Sequence, residues 1–131
     1  MADAKTPAER PLSPHLQIYK MTLTMAMSII HRITGAALYF GTVLLALFLI
    51  AAASGKAGYG IAAAVYGSFL GKLVLFGYTW ALIHHMLGGI RHFIWDTAAG
   101  LDPVARETIV KATLIGSVAL TLLVWLVVGT K

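Results

Sequence analysis

The stretch of sequence that decides the fold is residues 33–53, ITGAALYFGTVLLALFLIAAA. It contains no Asp, Glu, Lys or Arg anywhere along its length. As an α-helix, a stretch of this length rises about 30 Å, which matches the hydrocarbon core of a bilayer. The apolar residues run continuously and do not alternate as the strands of a membrane β-barrel do. The stretch therefore predicts a helix that crosses the membrane.

Two further apolar runs have the length of a membrane span. Residues 73–90 and residues 112–129 also lack Asp, Glu, Lys and Arg. The apolar residues 61–70 precede the first of these runs and suggest that its helix is longer and tilted. Turn-forming sequences, SGKAG at 54–58 and AGLDP at 99–103, separate the three runs. The fold class that follows is an all-α membrane protein with three transmembrane helices.

We divide the chain into two parts on this basis. Residues 1–27 form an N-terminal cytoplasmic or interfacial segment, and residues 28–131 form the three-helix transmembrane anchor. The three spans are expected at about 28–53, 61–95 and 108–129.

Composition excludes several classes of protein. Of the 131 residues, 59% are hydrophobic and 11% are charged. A soluble domain of this size cannot bury so much apolar surface, so lipid is the solvent for most of it. The sequence has no cysteine, and so holds no disulfide, thiolate metal site or iron–sulfur cluster of its own. The formal charge of +5 does not indicate nucleic-acid binding, because the basic residues flank the apolar spans.

Charged residues and histidines concentrate toward one side of the membrane. Seven basic residues are expected there and three at the other side, and all five acidic residues and five histidines fall on the richer side. The positive-inside rule therefore puts the N-terminus and the second connector in the cytoplasm or matrix. The seven are Lys5, Arg10, Lys20, Arg32, Arg91, Arg106 and Lys111, and the three are Lys56, Lys72 and Lys131.

The end of the second span, HHMLGGIRHFIWD at 84–96, carries the clearest chemical signal. At 3.6 residues per turn, His85, Gly89 and His92 share one helical face. A glycine one turn from a histidine leaves room for a flat porphyrin, and imidazole is the common axial ligand of haem iron. Arg91 and His92 lie nearer the surface, where the acidic propionates of a haem would point.

The spacing leaves other interpretations of these residues open. A histidine in a membrane helix also hydrogen-bonds to neighbouring helices or serves a proton relay, and glycines also form helix-packing contacts. His84 lies about 100° from His85 around the helix, which favours a packing or interfacial role for it. A six-coordinate haem needs two axial ligands, and no other histidine lies at a comparable depth on a separate span. A second ligand from protein would therefore come from another chain.

A second cluster, Ser28, His31 and Arg32, opens the first span. Their i, i+3 and i+4 spacing lets all three share one helical face. A hydroxyl donor and a guanidinium suit a quinone, whose reduction adds electrons and protons to its carbonyl groups. The histidine is suited to passing protons or binding a propionate. Taken alone, the residues favour a plainer interpretation, in which Arg32 anchors the topology and Ser28 starts the helix.

Three motifs occur in a fixed order along the chain. RPLSPHLQIY at 10–19 precedes the first span, Ser28-x-x-His31-Arg32-x-Thr34 opens it, and His85-x-x-x-Gly89-Ile90-Arg91-His92-x-x-x-Asp96 closes the second. In this order and topology, the chain resembles the cytochrome b membrane-anchor subunits of succinate dehydrogenase, respiratory complex II. The resemblance extends from Arg10 to the third span, and the ordered set is far more specific than any one motif.

The resemblance implies a function and a set of site residues. His85 matches the axial ligand of haem b, and Ser28 and Arg32 match residues of the ubiquinone site. His31, Arg32 and His92 match positions near the haem propionates, and Gly89 and Arg91 are expected in the same vicinity. The family works in a four-subunit complex of a flavoprotein with covalent FAD, an iron–sulfur subunit and two anchors, of which the second supplies the other haem ligand. This chain would pass electrons to ubiquinone without itself oxidising succinate.

Three alternatives remain beside this interpretation: an anchor of a quinol:fumarate reductase, a small proton-coupled transporter subunit, and a structural anchor without a cofactor. The expected location is the inner membrane of a bacterium, or of a mitochondrion if the source is eukaryotic.

Overall fold

The computed structural model describes residues 12–129, apart from the side chain of Leu16. Three of its helices are long and apolar enough to cross a membrane, which confirms the predicted all-α fold with three spans. Residues 1–11 and 130–131 lie outside the described residues, and with them Lys5, Arg10 and Lys131 of the predicted charge pattern. The helices are α1 His15–Ile18, α2 Leu23–Ala53, α3 Lys56–Gly67, α4 Phe69–Asp96 and α5 Pro103–Gly129.

Two spanning helices begin about one turn earlier than the sequence predicted. The hydroxyl oxygen of Thr22 accepts a hydrogen bond from the backbone N–H of Met25 at 3.3 Å and caps α2. The carboxylate of Asp102 accepts one from the N–H of Ala105 at 2.9 Å, just before the proline that opens α5. As a consequence, Ser28 lies inside α2 and does not start it.

The structure differs from the continuous second helix predicted for about 61–95. The chain bends at Ser68, which has extended backbone angles of −63° and 161° between α3 and α4. Its hydroxyl donates to the carbonyl oxygen of Val65 at 2.6 Å and accepts from the N–H of Gly71 at 3.1 Å. One side chain thus ends α3 and caps α4, which a hydropathy pattern does not reveal.

The middle span, α4, packs against α2 on one face and against α5 on another. Its buried residues, Ala81, His84, Gly88 and Arg91, recur at the spacing of one helical face. Because successive spans run in opposite directions, the start of α2, the end of α4 and the start of α5 meet at one end of the bundle. This end carries the histidine-rich residues, and we call it the histidine end.

Candidate functional site

His85 lies on α4 at its contact with α2. Its Nδ1 atom lies 3.1 Å from the carbonyl oxygen of His31 and 3.4 Å from the hydroxyl oxygen of Thr34. A carbonyl oxygen only accepts hydrogen bonds, so Nδ1 carries the proton and donates it. In the neutral ring the lone pair is then on Nε2. This is the arrangement of a metal-ligating histidine, which donates its other ring N–H to a backbone carbonyl or carboxylate.

Space for a flat ligand lies beside this ring. His85 is half-buried. A Cβ atom built on Gly89 would meet no neighbouring described atom within 4 Å. Gly89 therefore opens onto free space one turn from His85, as the predicted gap requires.

His31 covers the ring of His85. The two imidazoles are parallel to within 1°, and their centroids are 4.0 Å apart. His92 lies next to His31, with ring centroids 5.3 Å apart at a tilt of 53°. The structure thus brings together three histidines that the sequence placed on two different helices.

Arg91 is buried in the bundle, with 3% of its surface exposed. Within the described residues, its Nε and Nη1 atoms have no hydrogen-bond partner. Its guanidinium carbon lies 5.2 Å from the ring centroid of Trp95, whose indole nitrogen is also buried without a partner. A buried cation and an indole N–H without acceptors are costly, and an anionic group would satisfy both.

His84 lies on a different face of α4 from His85, about 100° around the helix, and is fully buried. The hydroxyl of Ser117 on α5 donates to the carbonyl oxygen of Leu114 at 2.8 Å, so its oxygen accepts from Nδ1 of His84 at 3.1 Å. Of the packing or interfacial role predicted for His84, its burial against α5 supports packing, and its Nε2 atom has no hydrogen-bond partner among the described residues. Ser117, the one serine of α5, was missed because the sequence does not show which face of α5 packs against α4.

Ser28 and Arg32 are exposed on the N-terminal part of α2. Among the described residues, neither side chain has a hydrogen-bond or ion-pair partner. They lie within one turn of His31 at the histidine end, and their polar groups remain available to a ligand. No hydrogen bond or ion pair among the described residues joins them to His85 or His92.

The arrangement suits a cofactor that brings its own ring of metal ligands. In the part of the chain that the structure describes, no three His, Asp or Glu side chains converge to hold a bare metal ion. One imidazole with a free Nε2, a gap beside it and nearby cationic groups match the needs of a haem with acidic propionates.

Three apolar spans and a polar histidine end define the chain as a polytopic helical membrane protein. The family model for succinate dehydrogenase/fumarate reductase transmembrane subunits matches residues 6–126. The chain belongs to this family.

Curated relatives cover almost the whole chain. It is 41% identical to the succinate dehydrogenase cytochrome b556 subunit of Paracoccus denitrificans over 97% of both chains. It is 34% identical to the protein of that name from Rickettsia felis, over 89% of this chain and 91% of the relative. The mitochondrial succinate dehydrogenase cytochrome b560 subunit of Sus scrofa is 39% identical over 93% of this chain and 70% of its own length.

Proposed function

We propose that this chain is the cytochrome b membrane-anchor subunit of a succinate:ubiquinone oxidoreductase, with His85 as an axial ligand of haem b. The observation that carries the proposal is the hydrogen bond from Nδ1 of His85 to the carbonyl oxygen of His31. It fixes the tautomer in which Nε2 holds the lone pair that an iron atom takes. Membership of the family and the names of the relatives support the proposal of a succinate dehydrogenase cytochrome b anchor.

The haem would lie against the open face at Gly89. Its propionates would be held in the vicinity of His31, Arg32, Arg91 and His92. The buried N–H groups of Arg91, which lack acceptors among the described residues, support an anionic partner. When bound, haem b supplies a one-electron carrier close to the quinone site.

Ubiquinone would bind at the exposed polar groups of Ser28 and Arg32. The hydroxyl of Ser28 donates a hydrogen bond to a quinone carbonyl, and the guanidinium of Arg32 stabilises negative charge on the ring as it is reduced. Electrons arrive from an iron–sulfur partner on the cytoplasmic side. This chain has no nucleotide-binding fold among its described residues and no cysteine, so FAD and the iron–sulfur clusters belong to partner subunits.

A second anchor subunit completes the haem site. His31 lies on α2 at the depth of His85, contrary to the prediction, but its ring is stacked parallel to that of His85, so the two rings cannot bind a haem from opposite sides. His92 shares the helical face of His85, His84 is buried against α5, and His15 lies in α1 before the first span. The second axial ligand therefore comes from the partner anchor in this proposal. The assembled complex of flavoprotein, iron–sulfur subunit and two anchors lies in the bacterial inner membrane, or the mitochondrial one in a eukaryote.

The proposal is tested by a reduced-minus-oxidised visible spectrum of membranes containing the whole complex. We expect a b-type haem spectrum in the wild type and its loss in His85→Ala. His84→Gln is the matched control, because an amide can still donate to Ser117, and it should retain the spectrum. Loss of the spectrum in His84→Gln and retention in His85→Ala would contradict the assignment.

A fumarate reductase anchor remains the second candidate, because the family includes both enzymes. Rates of succinate oxidation by ubiquinone and of fumarate reduction by a reduced quinone, measured on the same preparation, separate the two. We expect succinate oxidation by ubiquinone to be faster than fumarate reduction.

A further inference from the structure

Two adjacent glycines of α4 have different surroundings. Gly89 opens onto free space, whereas a Cβ atom built on Gly88 would overlap the imidazole of His31. Gly88 is itself buried. The ring of His31 therefore fills a notch in α4 that only a glycine at residue 88 leaves open.

The notch brings the ring of His31 flat against the ring of His85. The rings are parallel to within 1°, with centroids 4.0 Å apart. Rotation of an imidazole about its second side-chain torsion is broad when nothing restricts it. A stacked neighbour at van der Waals distance restricts it, because any large rotation of His85 would collide with His31.

The backbone of α2 fixes the other degrees of freedom of His85. The carbonyl oxygen of His31 accepts the Nδ1 proton at 3.1 Å. A Cβ atom on Gly35 would lie 2.8 Å from Cε1 of His85, so the helices approach closely at that point because residue 35 is a glycine. His31 thus acts on His85 twice, with its ring and with its carbonyl group.

We infer that His31, seated in the Gly88 notch, is a positioning residue that sets the ring plane and the tautomer of His85. The inference rests on the proposed function, in which His85 binds haem iron. The plane of an axial imidazole governs its overlap with the iron d orbitals. Its hydrogen-bonded N–H governs its basicity as a ligand. His31 and Gly88 therefore tune the haem, Gly88 through the ring of His31 that it admits.

Three variants of the whole complex test this inference. His31→Leu removes the stacked ring, His31→Phe keeps a flat ring without nitrogen atoms, and Gly88→Ala displaces the ring of His31 while leaving its chemistry intact. Gly77→Ala is the control on the same helix, because a Cβ there would meet no neighbouring described atom within 4 Å. The readouts are the low-spin ferric haem signal in electron paramagnetic resonance, the haem midpoint potential and the haem content per complex.

We expect His31→Leu and Gly88→Ala to shift and broaden the low-spin signal and to move the midpoint potential of the haem that is bound, with haem content measured separately. His31→Phe should resemble the wild type in the width of the signal, and Gly77→Ala in every readout. If the His31→Leu complex does not assemble, the inference is tested by the difference in the width of the low-spin signal between Gly88→Ala and His31→Phe.

Two outcomes would overturn the inference. Equal shifts in His31→Phe and His31→Leu would show that His31 acts through its ring nitrogen atoms. A wild-type signal in Gly88→Ala would show that the notch does not set the ring. Absence of a haem signal in the wild-type complex would instead contradict the proposed function, so the two failures are distinguishable.

Discussion

His84 and His85 show how adjacent imidazoles in one membrane helix reach separate partners. The step of about 100° between successive residues turns one ring toward α2 and the other toward α5. His84 is fully buried and bonded to Ser117, whereas His85 is half-buried beside the open space at Gly89. The helical register alone therefore separates a packing residue from a candidate ligand.

The sequence predicted the register of His85 to Gly89, because that depends only on helix geometry. It did not predict the tautomer of His85, which depends on the carbonyl oxygen of His31, 54 residues away. Nor did it predict that the side chain of Arg91 would be buried in the bundle. The position of Arg91 in the sequence indicated only how deep in the membrane this residue lies.

At the quinone site, Arg32→Leu should lower succinate-driven ubiquinone reduction roughly tenfold to a hundredfold, the value of one charge-assisted hydrogen bond. Ser28→Ala should lower it by roughly two- to tenfold, because a neutral bond is lost. Succinate oxidation with an artificial acceptor should persist in both variants, since that reaction takes place in the partner subunits.

The control for the quinone prediction is Arg106→Leu, which removes an exposed basic residue from the same end of the bundle on α5. It should leave both rates close to those of the wild type. A parallel fall of both activities in Arg32→Leu would place its effect in assembly and contradict a role in binding quinone.

Among the helices, α4 depends on polar contacts with α5. The residues of α5 that the structure buries are mostly polar: Thr113, Ser117 and Thr121 beside Val110. In lipid, apolar side chains gain little by leaving the surface of a helix, so packing and hydrogen bonds hold the spans together. Two side-chain hydrogen bonds of this kind join the described parts of the two helices. One runs from His84 to Ser117, and in the other Nε1 of Trp125 donates to the hydroxyl oxygen of Thr79 at 3.3 Å.

Ser117→Ala should reduce the stability of the complex by about 1 kcal/mol, because it leaves the Nδ1 proton of His84 buried without an acceptor. The matched control is Thr121→Val, which removes a hydroxyl bonded only to the carbonyl oxygen of Ser117 in its own helix. The apparent unfolding temperature of the purified complex, followed by circular dichroism, measures both. Equal falls in the apparent unfolding temperature for the two variants would mean that the bond to His84 does not stabilise the complex.

The three spans were predictable because length and apolar composition decide them. The boundaries were not, because single polar side chains determine them. Thr22 and Asp102 extend α2 and α5 by capping, and Ser68 divides the second predicted span in two. Such caps compete locally with helix continuation, and hydropathy averaged over a span does not detect them.

At the scale of the whole molecule, polar groups are concentrated at the histidine end, so the two ends of the bundle differ in chemistry and the bundle can be oriented in the membrane. In the described residues, the contacts of His31 with His85 and His92 confirm that the start of α2 and the end of α4 meet there. The positive-inside rule assigns this end to the cytoplasm, where an iron–sulfur partner would deliver electrons. The same end has to be accessible to that partner, so the orientation is a condition of the proposed function.

The chain has no cysteine, so single introduced cysteines report the orientation directly. Ser13→Cys, Ala57→Cys and Ala99→Cys place one thiol before α2, one in α3 and one in the second connector, all at exposed residues. In intact cells, a membrane-impermeant maleimide should label only Ala57→Cys. In inverted membrane vesicles the same maleimide should label both Ala99→Cys and Ser13→Cys and leave Ala57→Cys unlabelled. The reverse pattern would put the histidine end outside the cytoplasm, where neither a quinone held at Arg32 nor a haem held at His85 could receive electrons from a cytoplasmic partner.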